Sequence, residues 1–192
     1  MQPQEIFLVR HGETEWSRSG RHTGRTDIPL TAEGGARAAS IGLALAGRAL
    51  SVWTSPLERA RESCRLAGFA QSATVDADLR EWDYGDYEGR TTLDIRKDSP
   101  GWSVWLSPII GGESLDQVAE RARRVIERVI STERDAVLFS HAHFLRILAA
   151  CWIGQPPITG RYLGLDTASI SVLGYERLTR VIRGWNWTPP AA

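Results

Sequence analysis

Side chains suited to acid–base and anion chemistry occur where predicted strands end or just beyond them. The five residues are Arg10, His11, Arg59, Glu81 and His141. In α/β proteins the carboxyl ends of parallel strands meet at one edge of the sheet, and ligands bind there. If the strands that precede these residues are parallel, the five side chains should converge on one pocket.

These residue types indicate phosphoryl chemistry. The guanidiniums of Arg10 and Arg59 offer paired donors for a dianion, most simply a phosphate. Nearby cations lower the pKa of an imidazole and so favour a neutral, nucleophilic ring at His11. Its attack would form a phosphohistidine and divide one difficult step into two. The ring of His141 would stabilise negative charge on the transferring oxygens, while Glu81 would protonate the leaving alkoxide and then activate water.

The elements that must position these groups alternate between strands and helices. We expect strands at 6–9, 51–55 and 135–141, a weak one within 73–79, and a terminal hairpin formed by 168–176 and 179–186. Helices are expected in 31–50 with Thr31 as N-cap, in 56–69, in 114–131 with a Ser114–Gln117 capping box, and in 144–153. This order predicts an α/β fold, a three-layer α/β/α sandwich around a mostly parallel mixed sheet.

Composition narrows the classes of protein. The formal net charge is zero, which gives no general reason to expect binding to nucleic acid or to an anionic membrane. The sequence has no apolar run long enough for a membrane span and no signal-peptide pattern, so a cytoplasmic protein is expected. Cys64 and Cys151 are interpreted as free thiols. Lys97 is the only lysine, so nearly all cations are arginines.

Four motifs in the same order identify a resemblance. The stretches "LVRHGETEW", "TSPLERA", "EWDYGDYEG" and "SHAHFLR" resemble the histidine phosphatase superfamily, in its phosphoglycerate-mutase-like branch. The resemblance covers nearly the whole chain and implies one domain, residues 1–192, that needs no cofactor and no metal. It implies that His11 is the phosphorylated nucleophile, that Arg10, Arg59 and His141 hold the phosphate, and that Glu81 is the proton donor.

The same resemblance assigns a set of residues to the substrate pocket by position. They are Ser17, Thr23, Gly24, Tyr84, Ala142 and His143, the last two through their backbone. One of these positions departs from the family pattern, because Ala142 follows His141 where glycine is usual. That change affects how closely the backbone approaches a phosphate.

Three functions remain open at this point. Mutases of this family carry a longer insertion with a lysine and paired arginines, whereas residues 88–113 here hold only Arg90, Arg96 and Lys97 as cations. This difference favours a phosphatase for a small phosphorylated metabolite, a sugar phosphate or bisphosphate. The alternatives are a phosphoglycerate mutase and a phosphoprotein phosphatase.

Several features allow two readings. The tryptophan-rich insertion at about 85–113 is either a lid that selects substrates or a loop packed on the domain. The arginines of the run 120–124 are expected on a solvated helix face, as are Glu58 and Arg61. His22 belongs either to the pocket rim or to the loop surface. Trp185 and Trp187 are either a packing face or the contact of a possible homodimer.

Overall fold

The computed structural model describes residues 4–190, which contain a six-stranded mixed sheet in the order β3-β2-β4-β1-β5-β6. The strands are β1 (Ile6–Arg10), β2 (Ser51–Thr54), β3 (Ala73–Val75), β4 (Ala136–Ser140), β5 (Ile170–Glu176) and β6 (Thr179–Trp187). The first four pair in parallel, and β5 and β6 add an antiparallel hairpin at one edge. The prediction of a mostly parallel mixed sheet is confirmed.

Six α-helices accompany the sheet in the described part of the chain. They are α1 (Glu15–Arg18), α2 (Ala32–Ala44), α3 (Glu58–Leu66), α4 (Thr92–Asp98), α5 (Leu115–Ile130) and α6 (Ala142–Trp152). The expected caps are present, since Thr31 accepts from the Gly34 N–H and Ser114 and Gln117 form a capping box. The sequence analysis missed α1 and α4, and α3 begins at Glu58 rather than at 56.

The two central strands are buried on both faces, which explains their continuous apolar runs. Ile6 and Leu8 of β1 pack in a core with α5 and α6, whereas Phe7 and Val9 face a second core with α2 and α3. Residues of β4 alternate in the same way. The sheet therefore lies between two helical layers, as the three-layer prediction requires.

Strand register brings the predicted pocket residues to one edge. Arg10 at the end of β1 pairs with Ser140 at the end of β4, and Thr54 at the end of β2 pairs with Phe139. The residues that follow these strands leave the sheet side by side. The Arg10–Ser140 pair thus places His11 next to His141, and the end of β2 lies beside them.

The segment 85–113 is more ordered in its structure than the irregular loop that was expected. It contains a 3₁₀ turn at Gly85–Tyr87 and the helix α4, and its backbone exchanges hydrogen bonds with His22 through Gly89 and Arg90. Trp102 is buried in the same core as α5 and α6, and Trp105 packs against that core. The segment is thereby joined to the loop that precedes α2.

One prediction about helix α5 is wrong. The run 120–124 was expected to be solvated, but Arg121 is only 7% exposed. Its guanidinium forms an ion pair with Glu113 and hydrogen bonds to carbonyls of residues 78, 80 and 81. The apolar periodicity of the helix gave no sign of this partner, because Glu113 precedes the helix and the carbonyls belong to a distant segment.

Cys64 and Cys151 are free thiols. Glu58 and Arg61 lie at exposed positions, as expected. Trp185 packs against the core and Trp187 is 54% exposed. Within residues 4–190, no helix combines the length and apolarity that crossing a membrane requires.

Gly34 in the first turn of α2 lies directly against the backbone of Glu13 in the loop after β1. This close approach yields a stability prediction. A Cβ at Gly34 would lie 2.2 Å from the Glu13 carbonyl oxygen, whereas a Cβ at Gly35 would lie 3.5 Å from Leu66 Cδ1. Gly34→Ala should therefore lower the free energy of unfolding by about 1–3 kcal/mol. Gly35→Ala is the matched control and should raise it by up to about 1 kcal/mol through helix propensity. Urea denaturation measures both, and equal effects would contradict the close approach.

Candidate active site

A cavity of about 210 Å³ opens at the carboxyl edge of the sheet. Most predicted site residues line it: Arg10, His11, Ser17, Thr23, Glu81, Tyr84, Ala142 and His143. Arg59, Gly24 and His141 do not line this cavity, and all three are buried beside it. Loops and helix ends from separate parts of the chain therefore meet here, as the strand order predicted.

His11 has the properties of a neutral nucleophile. Its Nδ1 lies 2.7 Å from the Gly12 carbonyl oxygen. Because a carbonyl only accepts, Nδ1 carries the proton and Nε2 keeps its lone pair. Burial, followed by the nearby cations of Arg59 and Arg10, holds the pKa of His11 well below its usual value. The ring is neutral near pH 7, with one nitrogen free to attack.

His141 lies beside it, fully buried. The two ring centroids are 5.2 Å apart at an angle of 58°. Nε2 of His141 is 2.8 Å from Ser55 Oγ, which also accepts from the Leu57 N–H. Burial and then the Arg59 cation lower the pKa of His141 well below its usual value. Nε2 of His141 is thus engaged by the Ser55 hydroxyl, while its buried Nδ1 has no partner within residues 4–190 and is available to a ligand.

The sequence analysis did not include Ser55 in the site. The sequence feature that could have identified Ser55 was its position directly after β2, at the same edge of the sheet as His11 and His141. Its role follows from geometry that a sequence does not contain, because the hydroxyl contacts a ring that is 86 residues away.

Two arginines at the site, the partly buried Arg10 and the buried Arg59, have no carboxylate partner within 4 Å among the described residues. Arg10 donates from Nη1 to the Leu165 carbonyl at 2.5 Å, and its buried Nε has no partner in residues 4–190. The Nε of Arg59 is likewise buried and has no hydrogen-bond partner in residues 4–190. Buried N–H groups and unpaired positive charge of this kind suit an anion.

Arg59 also has a second task. Its Nη1 and Nη2 donate to the carbonyls of Thr23, Gly24 and Thr26, each at 2.9 Å. From the other side, Glu88 accepts from the N–H groups of Gly24 and Thr26. Gly24 thus lies between two side chains rather than in the cavity wall. A Cβ there would be 2.7 Å from the Trp82 carbonyl oxygen, a backbone atom, so this position requires glycine.

The Glu81 carboxylate caps the start of α6 from within the cavity wall. It accepts from the N–H groups of Trp82, His143 and Phe144 at 2.9–3.1 Å. The N–H of His143 is therefore engaged by Glu81, whereas the sequence analysis assigned that backbone to the substrate. Ala142 is the first residue of α6 and its φ is not positive, so alanine fits there without strain.

Neutral rings form one wall of the cavity. Burial raises the pKa of Tyr84 well above its usual value and lowers that of His143 well below, so both groups are neutral, and the Tyr84 hydroxyl is hydrogen-bonded to His143 Nδ1 at 2.7 Å. His22 packs against Tyr84 and Trp102 with ring centroids at 4.9 and 5.3 Å. His22 therefore lines the pocket and does not lie on the loop surface, the other position that the sequence left open. Trp105 packs on His143 at 5.1 Å.

Two further arginines line the cavity and were missed by the sequence analysis. Arg21 donates to the Gly89 carbonyl, and Arg146 donates to that of Gly160 while stacking over Trp105 at 4.7 Å. Neither has a carboxylate partner within 4 Å in the described residues. The position of Arg146, just over one helical turn after His141, was the signal that could have identified it.

Ser17 faces the cavity with a hydroxyl that is already engaged. It donates to the Thr14 carbonyl and accepts from the Thr14 N–H in a capping box at α1.

Among residues 4–190, no three His, Cys, Asp or Glu side chains are arranged to hold a metal ion. One nitrogen each of His141 and His143 is bonded to a hydroxyl, which orients both rings for other contacts.

Comparisons with known proteins match this geometry. The model of the histidine phosphatase superfamily (branch 1) matches residues 6–188. An acid phosphatase of Mycobacterium tuberculosis is 39% identical over 180 residues, covering 91% of this chain and 88% of the relative. The sedoheptulose 1,7-bisphosphatase of Saccharomyces cerevisiae is 35% identical over 182 residues, covering 77% and 67%.

Two further similarities concern a mutase and a solved structure. A probable phosphoglycerate mutase of Salmonella paratyphi A is 29% identical over 192 residues, covering 94% of this chain and 89% of the relative. The solved structure of an open reading frame from Mycobacterium tuberculosis superposes with a TM-score of 0.93 at 36% identity, covering 97% of this chain and 99% of that one.

The buried neutral histidines predict a pH dependence of stability. Burial lowers the pKa of His22 from 6.5 to about 4, so the unfolded chain binds more protons between those values. Stability from this group is complete above pH 6.5 and is lost as the pH falls towards 4. In His22→Gln the dependence of unfolding free energy on pH in this window should be shallower by up to about 1.4 kcal/mol per pH unit. Urea denaturation across the window measures it, and an unchanged slope would contradict the assignment.

Proposed function

Because the chain belongs to the histidine phosphatase superfamily, we propose that it hydrolyses a small phosphomonoester through a phosphohistidine at Nε2 of His11. The observation that carries this proposal is the neutral His11 ring, with Nδ1 bound to a carbonyl and Nε2 bare, beside two guanidiniums that have no carboxylate partner. Phosphoryl transfer depends mostly on positioning and electrostatics, which this arrangement supplies.

The proposed reaction has two balanced steps. In the first, the Nε2 lone pair of His11 forms a bond to phosphorus, the ester P–O bond breaks, and Glu81 gives its proton to the leaving oxygen. In the second, Glu81 takes a proton from water, whose oxygen attacks the phosphohistidine and releases phosphate and neutral His11. Arg10, the Nε–H of Arg59 and His141 donate to the phosphate oxygens throughout.

A sugar phosphate or bisphosphate is the proposed substrate class. The cavity is small, and its wall offers hydroxyl, imidazole and phenol groups at Thr23, His22 and Tyr84 that suit a polyhydroxylated molecule. Arg21 and Arg146 add cations suited to a further anionic group. The named bisphosphatase relative agrees with this class.

Hydrolysis is favoured over mutase activity by the insertion 85–113. Its cations are engaged with their own neighbours: Arg90 with Asp98, Arg96 with the Trp102 carbonyl and Lys97 with Asp94. They are therefore not directed to a second acidic group of a substrate. We propose that the insertion instead acts as a fixed wall that selects substrates through Trp102 and Trp105.

Phosphate release tests the proposed function. The EDTA-treated protein should release phosphate from one or a few sugar phosphates in a panel that also contains 3-phosphoglycerate, with and without bisphosphoglycerate, and a phosphoserine peptide. His11→Ala should abolish turnover while the melting temperature stays near that of the parent. Interconversion of phosphoglycerates without phosphate release would instead mean a mutase, and release from the peptide alone would mean a phosphoprotein phosphatase.

The proton-donor role of Glu81 predicts a dependence on the leaving group. Glu81→Gln should reduce kcat/KM for an alkyl phosphate by about 10²-fold or more, because an alkoxide needs protonation as it leaves. The loss for p-nitrophenyl phosphate should be much smaller, since nitrophenolate leaves unaided. Steady-state kinetics on both substrates measure the ratio, and equal losses would contradict this role.

A further inference from the structure

Arg121 of helix α5 and Glu113, which lies just before this helix, bind the stretch of chain that carries Glu81. Residues 76–83 run from the end of β3 into the cavity wall, and they contain a 3₁₀ turn at Ala77–Leu79. Apart from the Asp76 N–H, which donates to the Thr54 carbonyl, this stretch forms no strand pairing within residues 4–190. Its position must therefore be fixed by other contacts.

Arg121 supplies three of those contacts, all to backbone carbonyls. Its Nη1 donates to the carbonyls of Asp78 and Arg80 at 2.7 and 2.9 Å, and its Nη2 donates to that of Glu81 at 3.3 Å. The remaining donors hold both carboxylate oxygens of Glu113 at 2.7 and 2.8 Å. All five N–H groups of the guanidinium are thus used, which a lysine ammonium could not reproduce.

Glu113 extends the same arrangement to the other side of Glu81. Its Oε2 also accepts from the Asp83 N–H at 3.0 Å, and its backbone N–H donates to the Asp83 carbonyl at 3.0 Å. Its carbonyl accepts from Trp82 Nε1 at 2.8 Å. The backbone is therefore held at 78, 80 and 81 by Arg121 and at 83 by Glu113, which also binds the Trp82 side chain.

We propose that the Arg121–Glu113 pair positions Glu81 for proton transfer. This inference rests on the proposed function, because it requires Glu81 to be the proton donor. The carboxylate of Glu81 is aimed by N–H groups of α6, but its distance from the leaving oxygen depends on where the backbone of residue 81 lies. Arg121 acts through that backbone and contacts no reacting atom.

A neighbouring arginine provides a matched control. Arg124 lies one turn further along α5 and is half-exposed, and it pairs with the Asp78 carboxylate rather than with carbonyls. It shares this partner with Arg128, and hydrogen bonds from the two arginines lower the pKa of Asp78 to about 2. Arg124→Gln removes the same charge from the same helix and leaves the backbone contacts of Glu81 intact.

The experiment compares an alkyl phosphate with p-nitrophenyl phosphate in the full chain. Arg121→Gln should lower kcat/KM for the alkyl phosphate by about 10- to 100-fold, since small misplacements of a reacting group have effects of this size. It should lower kcat/KM for p-nitrophenyl phosphate only slightly, and Arg124→Gln should change neither value. In a Glu81→Gln background, Arg121→Gln should cause no further selective loss.

The outcomes separate two kinds of failure. If Glu81→Gln itself shows no leaving-group selectivity, the proton-donor role is overturned. If that variant is selective but Arg121→Gln lowers both rates equally, or Arg124→Gln is as selective as Arg121→Gln, only the positioning role is overturned. If Arg121→Gln is unfolded at the assay temperature, Arg121→Lys decides the question, with a smaller selective loss expected and an equal loss on both substrates contradicting it.

Discussion

The parallel pairing of β1 with β4 determines where both buried histidines lie. The Arg10–Ser140 pair ends this ladder, the His11 N–H donates to the Ser140 carbonyl, and the next residues leave the sheet with their rings 5.2 Å apart. A shift of one residue would turn the side chains of a strand to the opposite face. Because β1 and β4 are packed on both faces, that shift would disrupt two cores at once. The polar site is therefore positioned by apolar packing several residues away.

Unpaired positive charge is the second requirement of the site. Within residues 4–190 Arg59 is buried without a carboxylate partner, and its polar groups are satisfied mainly by three carbonyls of residues 23–26. Carbonyls accept hydrogen bonds without neutralising the cation, so its field still acts on His11 and His141. A carboxylate in the same place would cancel that field. Arg121 shows the contrast, because its charge is paired with the carboxylate of Glu113.

Much of the fold and of the site could be predicted from local signals. Apolar runs gave β1 and β4, the caps at Thr31 and Ser114 gave two helix starts, and strand ends gave Arg10, His11 and His141. Contacts distant in sequence could not be predicted. Gly24 matched a motif, but its role between Arg59 and Glu88 appears only in three dimensions. Helices α1 and α4 are short and largely polar, so periodicity gave little sign of them.

The ends of the insertion are joined to each other, and in the proposed mechanism this separates substrate selection from proton transfer. Asp83 and Glu113 exchange a backbone hydrogen bond and a carboxylate contact, and Trp82 also bonds to Glu113. The residues between them form the ring-lined wall around His22 and His143. Once two ends are fixed, changing the length of the connecting loop has only a small effect on its closure entropy. The wall can therefore differ in length or composition while Glu81 keeps its place. The contacts of Glu113 with Trp82 and Asp83 lie at the base of the loop and not within it.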